Sequence, residues 1–217
     1  MTDLTLFTSG STGVPKMVHH LAEDMYLYCK NAAMSVGLRS DDRVLNVLPS
    51  HVIGYHVVTA GAAQYVGAHL LSAQFDPYNW FRLFKEFRPT YTVLIPRHID
   101  ILSKLKEWNQ LDMSCLRYVV TGSQRVEQHH IDSLLHRGVG HVGNWYGMTE
   151  FPPPVLIGHN SESFDITHTH GHIVEFTSEG ECVIDGHLTG DIFDLALRKF
   201  SHRKTELTGQ TWKTDPK

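Results

Sequence analysis

Residues 76–95 decide the fold, and they read Asp-Pro-Tyr-Asn-Trp-Phe-Arg-Leu-Phe-Lys-Glu-Phe-Arg-Pro-Thr-Tyr-Thr-Val-Leu-Ile. Asp76 followed by Pro77 is a typical helix start, with the aspartate as N-cap and the proline in the first turn. Aromatic residues then recur at helical spacing until Pro89 interrupts the pattern. Residues 91–95 form an apolar run of strand length. This stretch predicts a helix followed by a buried strand.

The same alternation extends in both directions from this unit. Apolar runs of strand length occur at residues 4–7, 44–48, 68–72, 116–121 and 141–144. Helical spacing occurs between them at residues 19–35, 57–65, 97–108 and 126–137. Strands that alternate with helices predict an α/β fold, with a mostly parallel sheet covered by helices on both faces.

The pattern changes near residue 151. The apolar segments 155–157, 173–176 and 182–184 are short and are separated by glycine or polar turns, which predicts a small β-rich lobe. We therefore expect an α/β core over residues 1–151, a β-rich lobe over 152–200 and a basic, hinge-like tail over 201–217.

Composition excludes several classes of protein. The chain has 217 residues, of which 41% are hydrophobic and 19% charged, so it is globular rather than disordered. A net charge of −4 excludes nucleic acid held by phosphate neutralisation. No apolar run is long enough to span a membrane, so we expect no membrane partner. Three widely spaced cysteines make no disulfide framework, which favours a reducing, cytoplasmic location.

A glycine- and hydroxyl-rich loop occupies residues 6–16, which read Leu-Phe-Thr-Ser-Gly-Ser-Thr-Gly-Val-Pro-Lys. Glycines let the backbone approach an anion, while hydroxyls and N–H groups surround phosphate oxygens and Lys16 supplies positive charge. It is not a Walker A loop, because Val14 and Pro15 separate Gly13 from Lys16. A flexible turn is the alternative, but the apolar strand before the loop and the Pro-Lys after it favour phosphate binding.

This loop resembles the phosphate-loop signature of the adenylate-forming superfamily, which includes the acyl- and aryl-CoA ligases. Further stretches resemble that family's motifs in the same order along the chain. They are residues 48–54, 75–96, 116–126, the segment Asn-Trp-Tyr-Gly-Met-Thr-Glu at 144–150, Thr-Gly-Asp at 189–191 and, more weakly, 200–204. A colinear series of this kind is specific and covers most of the chain.

The resemblance implies roles for individual residues. The loop residues that would hold the phosphates of ATP are Thr8, Ser9, Gly10, Ser11, Thr12, Gly13 and Lys16. The residues that would surround adenine and ribose are Gly122, Ser123, Asn144, Trp145, Tyr146, Gly147, Asp191 and Arg203. Thr149 would contact the α-phosphate, and Glu150 would hold Mg²⁺, a cation that prefers oxygen ligands. Lys16, Thr149 and Glu150 are thus the implied catalytic residues.

Some of these positions have plain structural alternatives. Tyr146 is equally typical of a buried aromatic at a strand end, and Asp191 of a Gly-Asp turn, when each is taken alone. His51 and Gly54 would line the pocket for an acyl or aryl acid, but His51 is equally typical of an ordinary loop.

The implied reaction activates a carboxylic acid with ATP to give an acyl-adenylate and pyrophosphate, after which a thiol, commonly that of coenzyme A, takes the acyl group. The family also has a long portion ahead of the phosphate loop and a C-terminal lid domain, and we expect this chain to lack both. Two alternatives follow. The chain could be a reduced module that binds AMP or ATP with little or no turnover, or a scaffold completed by another chain or by its own copy.

Histidine is unusually frequent, at 16 of 217 residues. His168, His170 and His172 alternate, so a strand would place three imidazoles on one face, where Zn²⁺ or Ni²⁺ could bind. A solvated strand is the favoured alternative. The adjacent pairs at 19–20 and 129–130 are expected to point apart.

Overall fold

A computed structural model of the chain describes residues 1–8 and 16–204. The chain starts with two antiparallel strands, β1 (Leu4–Thr8) and β2 (Lys16–His20), which form a separate two-stranded sheet as far as the described residues go. Helix α1 (Ala22–Ser35) follows. The helix predicted over 19–35 begins later than expected because His19 and His20 pair with β1.

The largest sheet within the described residues has six strands. They are β3 (Arg43–Asn46), β4 (His69–Ser72), β5 (Tyr91–Val93), β6 (Tyr118–Gly122), β7 (Val142–Tyr146) and β8 (Leu156–His159). Their order across the sheet is β4-β3-β5-β6-β7-β8. The first five are parallel and β8 runs antiparallel to β7. The predicted α/β fold with a mostly parallel sheet is confirmed.

Helices connect these strands. They are a π-helix (Tyr55–Thr59) that continues into α2 (Ala60–Val66), then α3 (Pro77–Phe87), α4 (Pro96–Ser103), α5 (Lys106–Asn109) and α6 (Gln128–Leu135). Asp76 caps α3 as predicted, because its side chain accepts a hydrogen bond of 2.7 Å from the N–H of Asn79. The helix predicted over 97–108 is divided into α4 and α5, since Leu105 is extended.

The two faces of the sheet carry separate apolar clusters. Val44 of β3 and Tyr118 of β6 pack with α1, the π-helix and α2 on one face. Leu45 and Val119, their neighbours in sequence, pack with α3, α4 and α6 on the other. This alternation follows from the period of two along a strand. Trp80 is 1% exposed in the second cluster, and replacing such a residue by alanine typically costs about 3–5 kcal/mol.

A second, antiparallel sheet follows, in the order β12-β11-β10-β9. Its strands are β9 (Val174–Phe176), β10 (Glu181–Ile184), β11 (His187–Asp194) and β12 (Lys199–Arg203). A third apolar cluster joins the two sheets through Tyr146, Leu156, Phe164 and Phe193. A β-rich region after the α/β core is thus present, while the boundaries at 151 and 200 stay a prediction.

Two assignments in this region differ from expectation. Residues 155–157 were expected in the β-rich lobe, but β8 joins the six-stranded sheet because the chain reverses after β7 and the N–H of Val155 bonds to the carbonyl of Tyr146 at 2.8 Å. Residues 201–203 were expected in a tail, but they belong to β12, which pairs with β11. Residues 205–217 of the predicted tail lie outside the described residues.

Candidate functional site

A cavity of about 610 Å³ opens where the carboxyl ends of β6 and β7 meet the second sheet. Its wall is formed by residues 123–126, 144–147 and 200–203, together with Glu162, Phe164 and Asp191. The carboxyl ends of parallel strands are where α/β folds commonly bind ligands. Most of the residues that were predicted to surround adenine and ribose line this cavity, although their predicted contacts remain untested.

Tyr146, the last residue of β7, is 9% exposed. Its hydroxyl donates a hydrogen bond of 2.8 Å to Oδ2 of Asp191. Burial, with the negative charge of Asp191 beside it, raises the pKa of the Tyr146 phenol well above its usual value. The phenol therefore stays protonated at neutral pH and can donate this hydrogen bond. Its ring packs edge-on against Phe193, at 5.1 Å between centroids, which fixes the plane of the ring at the cavity wall.

The carboxylate of Asp191 is 2% exposed and receives more than one donor. Nη2 of Arg203 donates to Oδ2 at 2.8 Å, and Nε of Arg203 donates to Oδ1. Next to this pair, Lys204 forms an ion pair with the buried carboxylate of Glu181. The end of β12 is thus held to the second sheet by two ion pairs, and the Asp191 carboxylate accepts hydrogen bonds from both Tyr146 and Arg203.

Two glycines at strand ends near the cavity pack closely against neighbouring backbone. A Cβ on Gly122 would lie 2.4 Å from the carbonyl oxygen of Trp145, and a Cβ on Gly147 would lie 2.7 Å from the backbone nitrogen of Pro153. Neither position has room for a side chain. Ser123 follows in the left-handed region, with φ of 63°, and turns the chain along the cavity.

Asn144 and Trp145 lie on opposite faces of β7. The amide of Asn144 is buried and donates to the carbonyl of Glu162 at 3.0 Å, which holds the 162–164 segment against the cavity. The Trp145 side chain is 4% exposed and packs in the cluster beneath α1 and α2. Its side chain therefore supports the sheet.

The predicted phosphate loop is described only at its two ends. Thr8 and Lys16 face each other as the last pair of the β1–β2 ladder. Lys16 is exposed. Ser9, Gly10, Ser11, Thr12 and Gly13 lie outside the described residues. Among the described residues that line the 610 Å³ cavity, neither Thr8 nor Lys16 is present.

Thr149 and Glu150 lie in a half-buried bend after β7, next to the cavity. Within the described residues, the carboxylate of Glu150 makes no hydrogen bond or ion pair. The carbonyl of Thr149 accepts a hydrogen bond of 2.8 Å from Nε2 of His20. His20 was not predicted as a site residue, because residues 19–35 were expected to be helical and only the structure places Lys16 and His20 on one strand.

His51 and Gly54 precede the π-helix. His51 is exposed, and a Cβ on Gly54 would meet Cδ1 of Leu48 at 3.1 Å. Nε2 of His56 donates to the carbonyl of Ser50 at 2.6 Å and closes this loop. The described residues place both His51 and Gly54 away from the wall of the 610 Å³ cavity.

The three alternating histidines do not lie on a strand, because residues 167–172 form turns ahead of β9. Nδ1 of His172 lies 2.8 Å from Asp185. Nδ1 of His170 lies 3.3 Å from Oγ of Ser35, and the ring of His168 packs edge-on against that of His170. The expectation of three imidazoles on one strand face is wrong, since at least two of them take separate partners.

One cluster within the described residues has metal-ligand spacing: Asp100, His129 and His130, whose ligand atoms lie within 4.8 Å of one another. The two histidines were expected to point apart, but their rings are 3.9 Å apart because both turn toward Asp100. Nδ1 of His130 accepts the N–H of Glu127 at 3.1 Å, so the neutral ring carries its proton on Nε2, facing Asp100. Metal-bound histidines donate through their second nitrogen. We interpret this cluster as a helix cap.

None of the three thiols is activated as a nucleophile. Burial raises the pKa of both Cys29 and Cys182 to about 12, and burial also raises the pKa of Cys115. All three are free cysteines. A thiol with a raised pKa is a poor nucleophile at neutral pH.

Comparison with known proteins identifies the family. The sequence profile described as "AMP-binding enzyme" matches residues 4–179, which include β1 to β9 and most of the cavity wall. The chain belongs to this AMP-binding enzyme family. The match begins in the hairpin that carries the predicted phosphate loop and ends before β10, so Asp191 and Arg203 lie outside it.

The relatives of this chain include CoA ligases. It is 34% identical over 154 residues to an indoleacetate–CoA ligase of Aromatoleum aromaticum, which is 69% of this chain and 29% of that protein. It is 30% identical over 155 residues to a feruloyl-CoA synthase of an Amycolatopsis species, which is 71% of this chain and 31% of that protein. The chain thus spans less than a third of the length of these relatives.

The fold of this chain is also found in solved structures. The N-terminal domain of FACL13 from Mycobacterium tuberculosis, solved with an inhibitor, superposes with a TM-score of 0.77 at 22% identity. The superposition covers 92% of this chain and 60% of that one. At this identity the likeness concerns the fold alone. Within the described residues, no helix is both long and apolar enough to cross a membrane.

Proposed function

We propose that this chain binds ATP and AMP in the 610 Å³ cavity and takes part in forming an acyl-adenylate from a carboxylic acid, as an acyl- or aryl-CoA ligase does. The observation that carries this proposal is the pair Tyr146 and Asp191 in the cavity of an AMP-binding family member. The Tyr146 hydroxyl lies 2.8 Å from Oδ2 of the buried Asp191 carboxylate, so an aromatic ring and a carboxylate lie side by side. Such a pair suits a base that stacks and a ribose that donates hydrogen bonds.

Different residues would contact different parts of the nucleotide. Tyr146 would stack on adenine, with Gly122 and Ser123 on its other side. Asp191 would accept the ribose hydroxyls in place of the donors it now holds. Arg203 would then lie beside the ribose. The remaining residues proposed to frame the adenine site are Asn144, Trp145 and Gly147.

The phosphate contacts would come from the hairpin and the bend after β7. Thr8, Lys16 and the loop between them would hold the β- and γ-phosphates, and Thr149 would contact the α-phosphate. The carboxylate of Glu150 has no partner among the described residues, which suits Mg²⁺, a cation that binds through one or two carboxylates and substrate phosphates. When bound, the cation would neutralise charge on the leaving pyrophosphate.

The proposed chemistry has two steps. A carboxylate oxygen of the acid attacks the α-phosphorus, a P–O bond forms, and the bond to the β-phosphate breaks to release pyrophosphate. Lys16 and the loop would stabilise the charge on that leaving group, which is mainly an electrostatic task. A thiolate then attacks the acyl carbonyl and releases AMP. Coenzyme A is the proposed thiol, since the chain's own cysteines have raised pKa values.

The acid remains a proposal at the level of its class. The relatives are named for indoleacetate and ferulate, so an aryl acid is the first class to test, with His51 and Gly54 proposed near its carboxylate. A cytoplasmic location is proposed on the same footing, from the three free cysteines.

A second candidate is a binding module that holds AMP or ATP with little turnover, alone or completed by another chain. One observation favours it. The carboxylate of Asp191 already accepts hydrogen bonds from Tyr146 and Arg203, which gives it a structural role that requires no turnover. A ribose that uses the same oxygens would compete with these donors.

Two measurements test both candidates. Calorimetry with ATP-Mg²⁺ and with AMP should detect binding, and the absence of both heat and thermal shift at millimolar nucleotide would refute both. Pyrophosphate release with a panel of acids, including indoleacetate and ferulate, separates the ligase from the module. Light scattering during the same assays shows whether any activity requires an assembled oligomer.

A further inference from the structure

His20 connects two parts of the proposed site that are 129 positions apart in sequence. Its Nε2 lies 2.8 Å from the carbonyl oxygen of Thr149. A carbonyl only accepts, so Nε2 is the donor and carries a proton. His20 is 5% exposed, and its ring meets that of Tyr28 in α1 edge-on, with centroids 5.6 Å apart. The contact is therefore a buried bond with a fixed direction.

The segment that receives this bond has little regular structure of its own. Residues 147–151 lie outside the helices and strands, and within the segment the N–H of Met148 bonds to the carbonyl of Phe151 at 2.9 Å. The bond from His20 adds a tether from outside the segment. A half-buried bend of this kind depends on such tethers for its position, because its backbone groups are not held in a ladder.

The other end of the connection is the hairpin. Side chains four residues apart on a strand lie on one face, so Lys16 and His20 share a face of β2. His20 is the buried residue of that strand, while Lys16 at the other end is exposed. Thr8 is the strand partner of Lys16. His20 therefore anchors the strand that carries one proposed phosphate contact to the bend that carries the other.

We propose that His20 is a positioning residue, which holds Thr149 and Glu150 at a fixed distance from Thr8 and Lys16 so that one nucleotide can contact all four. This inference rests on the proposed function for its consequence but on the geometry alone for the tether. A misplacement of about 1 Å in such an arrangement can lower a rate by about 100-fold.

The test compares three variants. His20→Leu removes the donor, and His20→Gln keeps a donor of similar reach. His19→Leu is the matched control, because His19 is the neighbouring residue on the other, exposed face, where its Nδ1 bonds to Thr5. Circular dichroism and thermal melting establish that each variant is folded.

Hydrogen exchange tests the tether without any ligand. We expect amide exchange in residues 147–151 to rise several-fold in His20→Leu and to stay near the wild-type rate in His20→Gln and His19→Leu. Unchanged exchange in His20→Leu, or an equal rise in His19→Leu, would overturn the proposal. NMR of the wild-type imidazole extends the test to the case in which His20→Leu does not fold: a proton on Nε2 supports the tether, and an unprotonated Nε2 contradicts it.

Kinetics test the consequence. In pyrophosphate release, His20→Leu should lower kcat by about tenfold or more and leave the KM for the acid unchanged, and His20→Gln should restore most of the rate. If the wild-type protein neither binds ATP nor releases pyrophosphate, the proposed function is refuted. The hydrogen-exchange result would still show whether His20 holds residues 147–151 in place. Altered exchange with unaltered kcat would overturn the positioning role.

Discussion

The phenol of Tyr146 donates to the carboxylate of Asp191 across 45 positions of sequence, at 2.8 Å, and so joins the end of β7 to the middle of β11. Both side chains are buried. The bond serves stability in the ligand-free chain, whereas the ring face and the carboxylate are the parts proposed to meet a nucleotide. Substitutions can therefore separate the two roles.

Tyr146→Phe should weaken the fold more than the binding. Loss of a hydrogen bond to a charged acceptor costs about 1.5–3 kcal/mol of unfolding free energy, and urea unfolding measures it. The ring remains, so the Kd for AMP should stay within about threefold, whereas Tyr146→Ala should raise it by about tenfold or more through lost stacking. Equal losses of affinity in the two variants would contradict the stacking role.

Lys16→Ala should discriminate between nucleotides. Lys16 is proposed to contact the β- and γ-phosphates, which AMP lacks, so the variant should bind ATP about tenfold more weakly and AMP as well as wild type. Lys106→Ala, at an exposed lysine on α5, is the control for general loss of positive charge. Calorimetry with both nucleotides gives the two values of Kd, and a parallel loss for AMP would show that the assignment is wrong.

His98 should make stability depend on pH. Burial, with the positive charge of Arg97 nearby, lowers the pKa of His98 from 6.5 to about 4. Between pH 6.5 and pH 4, His98 therefore binds a proton in the unfolded chain but not in the folded chain. The free energy of unfolding falls as the pH falls through this range.

His98→Leu removes this titration. Its loss of unfolding free energy between pH 7 and pH 4 should be smaller than that of wild type by about 2 kcal/mol, after allowance for partial exposure. His98 stacks on Phe75 with centroids 3.8 Å apart, so some stability at pH 7 is also lost. His51→Leu, at an exposed loop histidine, is the control. Parallel pH profiles for wild type and His98→Leu would contradict the effect.

Gly122→Ala should destabilise the sheet at the cavity. The added Cβ would lie 2.4 Å from a backbone carbonyl of β7, and forced overpacking of this kind costs about 1–3 kcal/mol. Gly54→Ala is the comparison, because its Cβ meets only the flexible end of Leu48 at 3.1 Å, and its cost should be smaller. Chemical unfolding at neutral pH measures both, and the reverse ranking would refute the explanation.

Much of the fold follows from local signals in the sequence. The Asp76–Pro77 start of α3 is predicted correctly because the N-cap aspartate and the first-turn proline act within one turn. Parallel strands such as β5 and β6 are predicted because they are buried on both faces and are therefore apolar throughout. The resemblance implied that Tyr146 and Asp191 would both lie at the nucleotide, and both line the 610 Å³ cavity, while their contacts with a nucleotide stay a prediction.

The remaining features depend on partners that are distant in sequence. Arg203 and Lys204 were expected in a basic, hinge-like tail, but Arg203 pairs with Asp191 and Lys204 pairs with Glu181. The strand position of β8 could not be predicted, because a short apolar run does not specify its neighbour. The contact from His20 to Thr149 was missed for the same reason, since no local pattern indicates a partner 129 residues away.

The order of strands in the six-stranded sheet has a consequence for how the chain folds. From β6 through β8, each strand lies beside the strand that precedes it in sequence. During synthesis these strands therefore leave the ribosome in the order in which they add to one edge of the sheet. When each new strand emerges, the strand that it pairs with is already present. Pairings between consecutive elements close short loops, so this half of the sheet can assemble during synthesis, ahead of the antiparallel sheet that completes the cavity.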